Sequence, residues 1–242
     1  MFQRLLKAAR SFEPGALRAG WWACPICSNP FQIRLNADEM GVRCMRCGAS
    51  PVSQSIVDVI RSECADLRTW TVYEMSSRGA LVDWLKSHAG SLVTSEYMPG
   101  VAPGKSVHGV RCEDVQRLTF ENGSFDLCTS TEVFEHVQDD SAGFAQVRRV
   151  LRPGGKFIFT VPLNEAAPTV ERVRVHGDQW IHLLEPEYHG DPFTRGNQVL
   201  CMRNYGFDIV ERLRAAAFSS VRLVRPRHGM MGCARTVVVA VR

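Results

Sequence analysis

Two sets of residues in this 242-residue chain have the types and spacing to do chemistry. The first is Cys24, Cys27, Cys44 and Cys47, arranged C-x2-C, then sixteen residues, then C-x2-C. Each C-x-x-C corner presents two thiolates, and two corners complete a tetrahedron, the geometry of a structural Zn²⁺ site. Four sulfurs leave no open coordination position, so this zinc is expected to be structural rather than catalytic. Another sulfur-loving metal such as iron, or redox-active dithiols, are the alternatives. The second set is polar and falls where β-prone runs end. Glu74, Ser76, Arg78 and Gly79 follow Thr71-Val72-Tyr73, Glu96 ends a run from Ser91, Asp114 follows Val110, and Thr131 and Glu132 follow Ser124–Ser130.

The elements that must position the second set alternate between strand and helix. After Thr71–Tyr73, Ala80, Leu81, Trp84 and Leu85 recur at helical spacing, giving a strand–loop–helix unit. A helix is expected over Ser53–Cys64, a strand over Ser91–Tyr97 and a short strand over Val107–Val110. A strand over Ser124–Ser130, a helix over Asp139–Leu151, and a Pro153-Gly154-Gly155 turn into an apolar strand, Lys156–Val161, follow. Helical spacing resumes over Cys201–Phe207 and Asp208–Ala217, and Ser219–Val224 with Thr236–Val241 read as a closing hairpin. This alternation predicts an α/β fold, a mostly parallel sheet covered on both faces. Ligands of such sheets sit outside the carboxyl ends of the strands, where the polar set falls. An acidic residue past the second strand, Glu96, suits a ribose diol, and Asp114 suits an exocyclic amine of adenine. Position alone does not separate a nicotinamide cofactor from S-adenosylmethionine (SAM).

Composition sets the bounds. The chain is 45% hydrophobic and 22% charged, with a formal net charge of +4, which suits one ordinary domain plus a small accessory unit. Residues 1–50 hold seven Lys/Arg against three Asp/Glu, and residues 210–242 hold seven Arg against Glu211 alone. Basic ends could meet an anionic partner, although scattered arginines more often face solvent. No apolar run approaches membrane-spanning length and the first residues lack the apolar core of a signal peptide, so a cytoplasmic location without membrane contact is expected. The division expected is 1–50, a basic helical turn or two over 2–10 followed by the four-cysteine module, and 51–242, the α/β domain. Within the latter, 162–200, rich in proline, histidine and aromatics, is expected to form a lid over the strand ends.

The stretch 111–161, RCEDVQRLTFENGSFDLCTSTEVFEHVQDD through LRPGGKFIFTVP, strongly resembles the class I SAM-dependent methyltransferases of the small-molecule branch. With its flanks the resemblance covers roughly 53–242. It implies a doubly wound, mostly parallel seven-stranded sheet with an antiparallel closing strand. It implies that Glu96, with Tyr97 beside it, holds the SAM ribose, that Asp114 reads the adenine amine and that Val115 lines the ring. Ser130, Thr131, Glu132 and His136 would line the methionine end and the acceptor mouth. Glu74, Met75, Ser76, Arg78 and Gly79 would form the loop that cradles the cofactor. That loop departs from the family's E-x-G-x-G-x-G, with Ser76, Arg78 and Ala80 at the glycine positions. Gly79 is then expected to supply the unusual φ one position later. Arg78 is expected to swing outward, or to pair with the SAM carboxylate or a substrate anion. Where the acceptor must lose a proton, the base candidates are His136 and Glu132, then His176, His182 and His189 of the lid. Trp180, His182 and Tyr188 would line the acceptor pocket. The CPIC and CMRCG knuckles resemble a zinc ribbon. The expected reaction is methyl transfer to O or N of a small polar molecule. An RNA or protein acceptor recognised by the ribbon, or a non-catalytic binding protein, are the alternatives; oligomeric state stays open.

Overall fold

The computed structural model describes residues 12–177, 179–190 and 198–242. The basic segment 2–10, expected to be helical, lies outside them. Three short antiparallel strands open the described chain: β1 (Arg18–Trp21), β2 (Phe31–Arg34) and β3 (Val42–Cys44). Next is α1 (Pro51–Glu63), started by Pro51 at its first position and by Ser50, whose side chain accepts from the Ser53 amide. Ile56, Val57, Val59 and Ile60 give α1 its buried stripe.

The main sheet is built from β4 (Thr71–Glu74), β5 (Ser91–Thr94), β6 (Phe125–Thr131) and β7 (Leu151–Thr160). With them go α2 (Ala80–His88) after β4 and α3 (Asp140–Val150) after β6. β8 (Arg203–Gly206) and α4 (Ile209–Ala215) precede β9 (Ser220–Val224) and β10 (Val237–Val241). Among the described residues the sheet has six strands, in the order β9-β10-β7-β6-β4-β5. β7, β6, β4 and β5 are mutually parallel, and β10 runs antiparallel to both of its neighbours. Alternating side chains make two cores. Val72, Leu127, Ile158, Val237 and Val239 face α1 and α2, while Tyr73, Cys128, Phe157, Phe159, Val238 and Ala240 face α3 and α4.

Three expectations need correction. The seven-stranded sheet is six-stranded because Val107–Val110 is no strand of it. Ser106–Val107 and Val110–Arg111 instead fold on each other through His108 and Gly109, both at positive φ. The backbone pairing of this region with the end of β5 is a single parallel bridge, Glu96↔Cys112, among the described residues. The Pro153-Gly154-Gly155 turn lies inside β7, which absorbs it with a register shift opposite Phe125–Leu127. The helix expected over Cys201–Phe207 contains β8, which pairs with Leu163–Asn164 and Val170–Glu171 rather than with the main sheet. Within 162–200, Val173–His176 pairs with Gln179–His182, and Tyr188–Gly190 with Gln198–Leu200.

Residues 162–200 are tied to the core through Glu171, which joins a polar network. Asp140, at the start of α3, is buried and accepts from the Tyr205 hydroxyl at 2.7 Å and from Arg212 at 2.9 Å. Arg203, also buried, donates to the Phe134, Val137 and Gln138 carbonyls and to Glu171. Removing one partner of a buried ionic cluster strands the others. Asp140→Ala is therefore expected to cost about 3–5 kcal/mol in urea unfolding; a loss below about 1 kcal/mol, typical of an exposed pair, would contradict this reading.

Candidate functional site

The chain leaves β4 towards β5 on one side and leaves β6 towards β7 on the other. The crevice between the carboxyl ends of β4 and β6 is thus a topological switch point, where open α/β sheets bind ligands. The loop after β4 forms one wall. Gly79 takes φ 121° there, as expected from its displaced position, and it directly precedes α2. Arg78 is exposed. Ser76 Oγ donates to the Arg78 carbonyl at 3.0 Å, tightening the turn.

Glu96 reaches across to this loop. Its Oε1 accepts from the Ser77 amide at 2.8 Å and from the Ser77 hydroxyl at 2.7 Å. Tyr97 beside it is exposed and Met75 is buried. Asp114 caps a short 3-10 turn: Oδ1 accepts from the Gln116 amide and side chain, and Oδ2 from Arg117 Nε at 3.2 Å. Val115 follows it, half-buried. The adjacent Glu113 is buried in structural bonds to Arg111 and Thr119.

Glu74 lies at the floor. It is buried, accepts from the Thr129 hydroxyl, and has its carboxyl pushed up to about 8, by burial first. Its ordinary value is 4.5, so between the two values the folded state holds a proton that the unfolded chain has released. Stability contributed below about pH 4.5 is then lost as pH rises through 8, on the order of 5 kcal/mol in all. Urea midpoints from about pH 5 to pH 8 should fall more steeply for the wild type than for Glu74→Gln. Equal slopes would contradict this.

The other wall follows β6. Ser130 is buried and Thr131 half-buried. Glu132 takes φ 53°, a left-handed conformation that costs a non-glycine residue roughly 1–2 kcal/mol and recurs at functional sites. Its amide donates to the Thr160 carbonyl, and its Oε2 meets Arg235 at 3.3 Å. Burial raises the Glu132 carboxyl above its ordinary range, against the opposing pull of Arg235 and the Thr160 hydroxyl. Arg235 also pairs with Glu39 at 2.6 Å, so the N-terminal unit reaches this wall. His136 ends the turn Phe134–His136, and its Nδ1 lies 2.9 Å from the Leu200 carbonyl. Of the three histidines expected in a lid, His189 alone comes here: its ring meets His136 edge to face, with centroids 4.9 Å apart. His176 and His182 stand exposed on the Val173–His182 hairpin, as do Trp180 and, on its own strand, Tyr188. Sequence reasoning missed Ser77, Glu135 and Arg235; Ser77 lay within the loop read as a cradle and Glu135 within the quoted motif, while Arg235 carried no signal.

The four cysteines converge. Sγ–Sγ distances are 3.8 Å for Cys24–Cys47 and 3.5 Å for Cys27–Cys44, and all four sulfurs lie within 4.8 Å of one another. A tetrahedron with Zn–S of about 2.3 Å has edges of about 3.8 Å, so the donor set fits. Ser28 and Gly48, both at positive φ, close the two corners through hydrogen bonds to the Cys24 and Cys44 carbonyls. The cluster packs on Ala80, the first residue of α2, and thereby braces the helix that follows the β4 loop. Gln54 of α1 joins it from below, bonding Trp22, Gln32 and the Ala49 carbonyl.

A family model described as a methyltransferase domain matches residues 76–159. Ubiquinone biosynthesis O-methyltransferase of Xanthomonas oryzae pv. oryzae is 31% identical over 131 residues, 50% of this chain and 54% of that one. The chain thus spans about half the length of the curated relatives it first matches. Demethylmenaquinone methyltransferase of Mycolicibacterium vanbaalenii is 40% identical over 60 residues, 24% of this chain and 26% of that one. Among solved structures, an S-adenosylmethionine-dependent methyltransferase from Mesorhizobium loti superposes with a TM-score of 0.50 at 15% identity, covering 78% of this chain and 98% of that one. The 1,6-didemethyltoxoflavin-N1-methyltransferase of Burkholderia thailandensis gives 0.51 at 17% identity, over 79% and 78%. The fold is therefore that of the class I SAM-dependent methyltransferases.

Proposed function

We propose that this chain is a SAM-dependent methyltransferase acting on O or N of a small polar molecule, braced by a structural zinc ribbon. The observation that carries the reading is the link from Glu96 at the tip of β5 to Ser77 in the β4 loop, beside the switch-point crevice. Glu96 Oε1 is occupied by Ser77, and its second oxygen accepts from the ribose hydroxyls. Asp114 has lone-pair capacity left after its three local bonds, and that capacity takes the adenine amine, with Val115 against the ring. Met75, Ser76, Arg78 and Gly79, above Glu74, surround the methionine end with Ser130 and Thr131. Methyl transfer is an in-line displacement, so the protein's work is alignment and exclusion of water, with Glu132 or His136 receiving a proton where the acceptor has one to lose.

A small acceptor is favoured over a nucleic acid because the basic C-terminal stretch is already engaged. Arg212, Arg214, Arg222, Arg225, Arg227 and Arg235 each pair with a carboxylate, and Arg242 bonds carbonyls of Arg149 and Leu151. The two curated relatives are, by name, methyltransferases of ubiquinone biosynthesis and of demethylmenaquinone, which fits a small acceptor. The zinc belongs to residues 1–50 and the chemistry to 51–242, with 162–200 over the mouth. Nine unpaired cysteines suit a reducing, cytoplasmic setting, and among the described residues no helix is long and apolar enough to cross a membrane. Calorimetric titration with SAM and with S-adenosylhomocysteine tests the reading. Saturable one-site heats are expected for both, and an absence of heat for both would sink it.

A further inference from the structure

We propose that Glu135, His136 and His189, with Glu132 beside them, form a second metal site, distinct from the cysteine cluster, for a divalent first-row transition ion. One ligand atom from each of Glu135, His136 and His189 lies within 4.8 Å of the others. Glu135 is 1% exposed, yet neither carboxylate oxygen has a hydrogen-bond partner from any other described residue. Burying a carboxylate without such a partner is costly, and a cation removes the cost.

The imidazoles are oriented as ligands. His136 Nδ1 donates to the Leu200 carbonyl at 2.9 Å, and its Nε2 lies 3.7 Å from Glu135 Oε1. His189 Nε2 donates to Glu187 Oε1 at 3.1 Å, which leaves the Nδ1 lone pair facing the same Glu135 oxygen at 3.8 Å. These tautomers follow from the acceptors, a backbone carbonyl and a carboxylate, and such partners are the usual second contacts of metal-binding histidines. Distances of 3.7 and 3.8 Å are too long for hydrogen bonds. They exceed by only a few tenths of an ångström the spacing of about 3.4 Å between ligands set tetrahedrally some 2.1 Å from an ion. Glu132, whose charge acts on both Glu135 and His189, stands beside the ligands and is not one of them. Two imidazoles with a carboxylate suit Zn²⁺, Fe²⁺, Co²⁺ or Ni²⁺ better than Mg²⁺ or Ca²⁺.

The backbone holds the two halves of the site together. The Met202 amide donates to the Glu135 carbonyl at 2.7 Å, and the Cys201 amide to the Glu187 carbonyl at 2.8 Å. The site therefore joins the turn after β6 to the insertion, at the mouth. Its role, unlike its existence, rests on the methyltransferase reading. There an ion held by Glu135, His136 and His189 would supply Lewis acidity to an acceptor hydroxyl. Glu132 would take the hydroxyl proton, the oxygen would bond the methyl carbon of the sulfonium donor, and the broken C–S pair would stay on sulfur, which becomes a thioether.

The test is a Co²⁺ titration of the full chain with zinc held at the cysteine quartet, followed by absorption. One further Co²⁺ per chain is expected, with ligand-field bands and no sulfur-to-cobalt charge transfer. His189→Ala, at a half-buried residue on an otherwise exposed strand, and Glu135→Gln are each expected to weaken that binding by at least about 10–100-fold, the loss typical of even an outer contact. If Glu135→Gln fails to fold, by its zinc content and circular dichroism, His189→Ala decides. No second Co²⁺, unchanged affinity in His189→Ala, or a thiolate band that places the ion on cysteine would each overturn the proposal. Calorimetry with S-adenosylhomocysteine on the same samples separates the two readings: cobalt uptake without nucleoside binding sinks the methyltransferase and leaves the metal site, and the converse sinks the metal site alone.

Discussion

Glu96→Ala is expected to weaken S-adenosylhomocysteine binding about a hundredfold while leaving the fold intact. The ribose would lose two hydrogen bonds to a charged acceptor, each about 1.5–3 kcal/mol. Even the low end sums to about 3 kcal/mol, roughly two decades in affinity. The loop would also lose its tether, because Glu96 Oε1 holds both the Ser77 amide and its hydroxyl. Ser77→Ala separates the two contributions. It removes the hydroxyl bond but keeps the carboxylate, and its effect should be within about tenfold. Paired titrations of the two variants measure this. Equal, small losses in both would mean that Glu96 is a loop tether and not a cofactor ligand.

Cys44→Ser is expected to release the metal of the N-terminal unit and unfold that unit locally. Cys44 is fully buried, and the three strands around it are too small to bury a core of their own. Structural zinc supplies on the order of 10 kcal/mol to such units, comparable with the whole stability of an ordinary domain. Because Cys24, Cys44 and Cys47 pack on Ala80, the loss should reach α2 and the loop before it. Metal analysis with limited proteolysis is the readout. The variant should lose its zinc and be cut first between residues 24 and 47. A variant that kept both its metal and the wild-type cleavage pattern would contradict the account.

Local signals carry most of the architecture. β4 and α2 are legible because a short β-branched run and the Ala80–Leu85 periodicity each act within one element, and the cysteine corners because their spacing is their geometry. The missing third strand is not. Val107 and Val110 have the right residue type, but His108 and Gly109 at positive φ fold the segment back before it can reach β5. The segment that holds β8 reads as helical because Cys201, Met202 and Tyr205 are all buried, and burial on every side erases the distinction between a period of 2 and one of 3.6. In the site, strand-end carboxylates are legible by position. The tie from Glu96 to Ser77, the Arg235 bridge from Glu39 to Glu132, and the selection of His189 over His176 and His182 depend on contacts between residues 19 to 196 positions apart. No local pattern encodes those.

The central claim is that the adenosine half of SAM lies between Glu96 and Asp114, over the Ser76–Gly79 turn. A crystal structure grown with excess S-adenosylhomocysteine tests it most directly. The account predicts both ribose hydroxyls on the Glu96 carboxylate and the adenine amine on Asp114. A saturated crystal with that crevice empty, or with the nucleoside bound elsewhere on the chain, would contradict it.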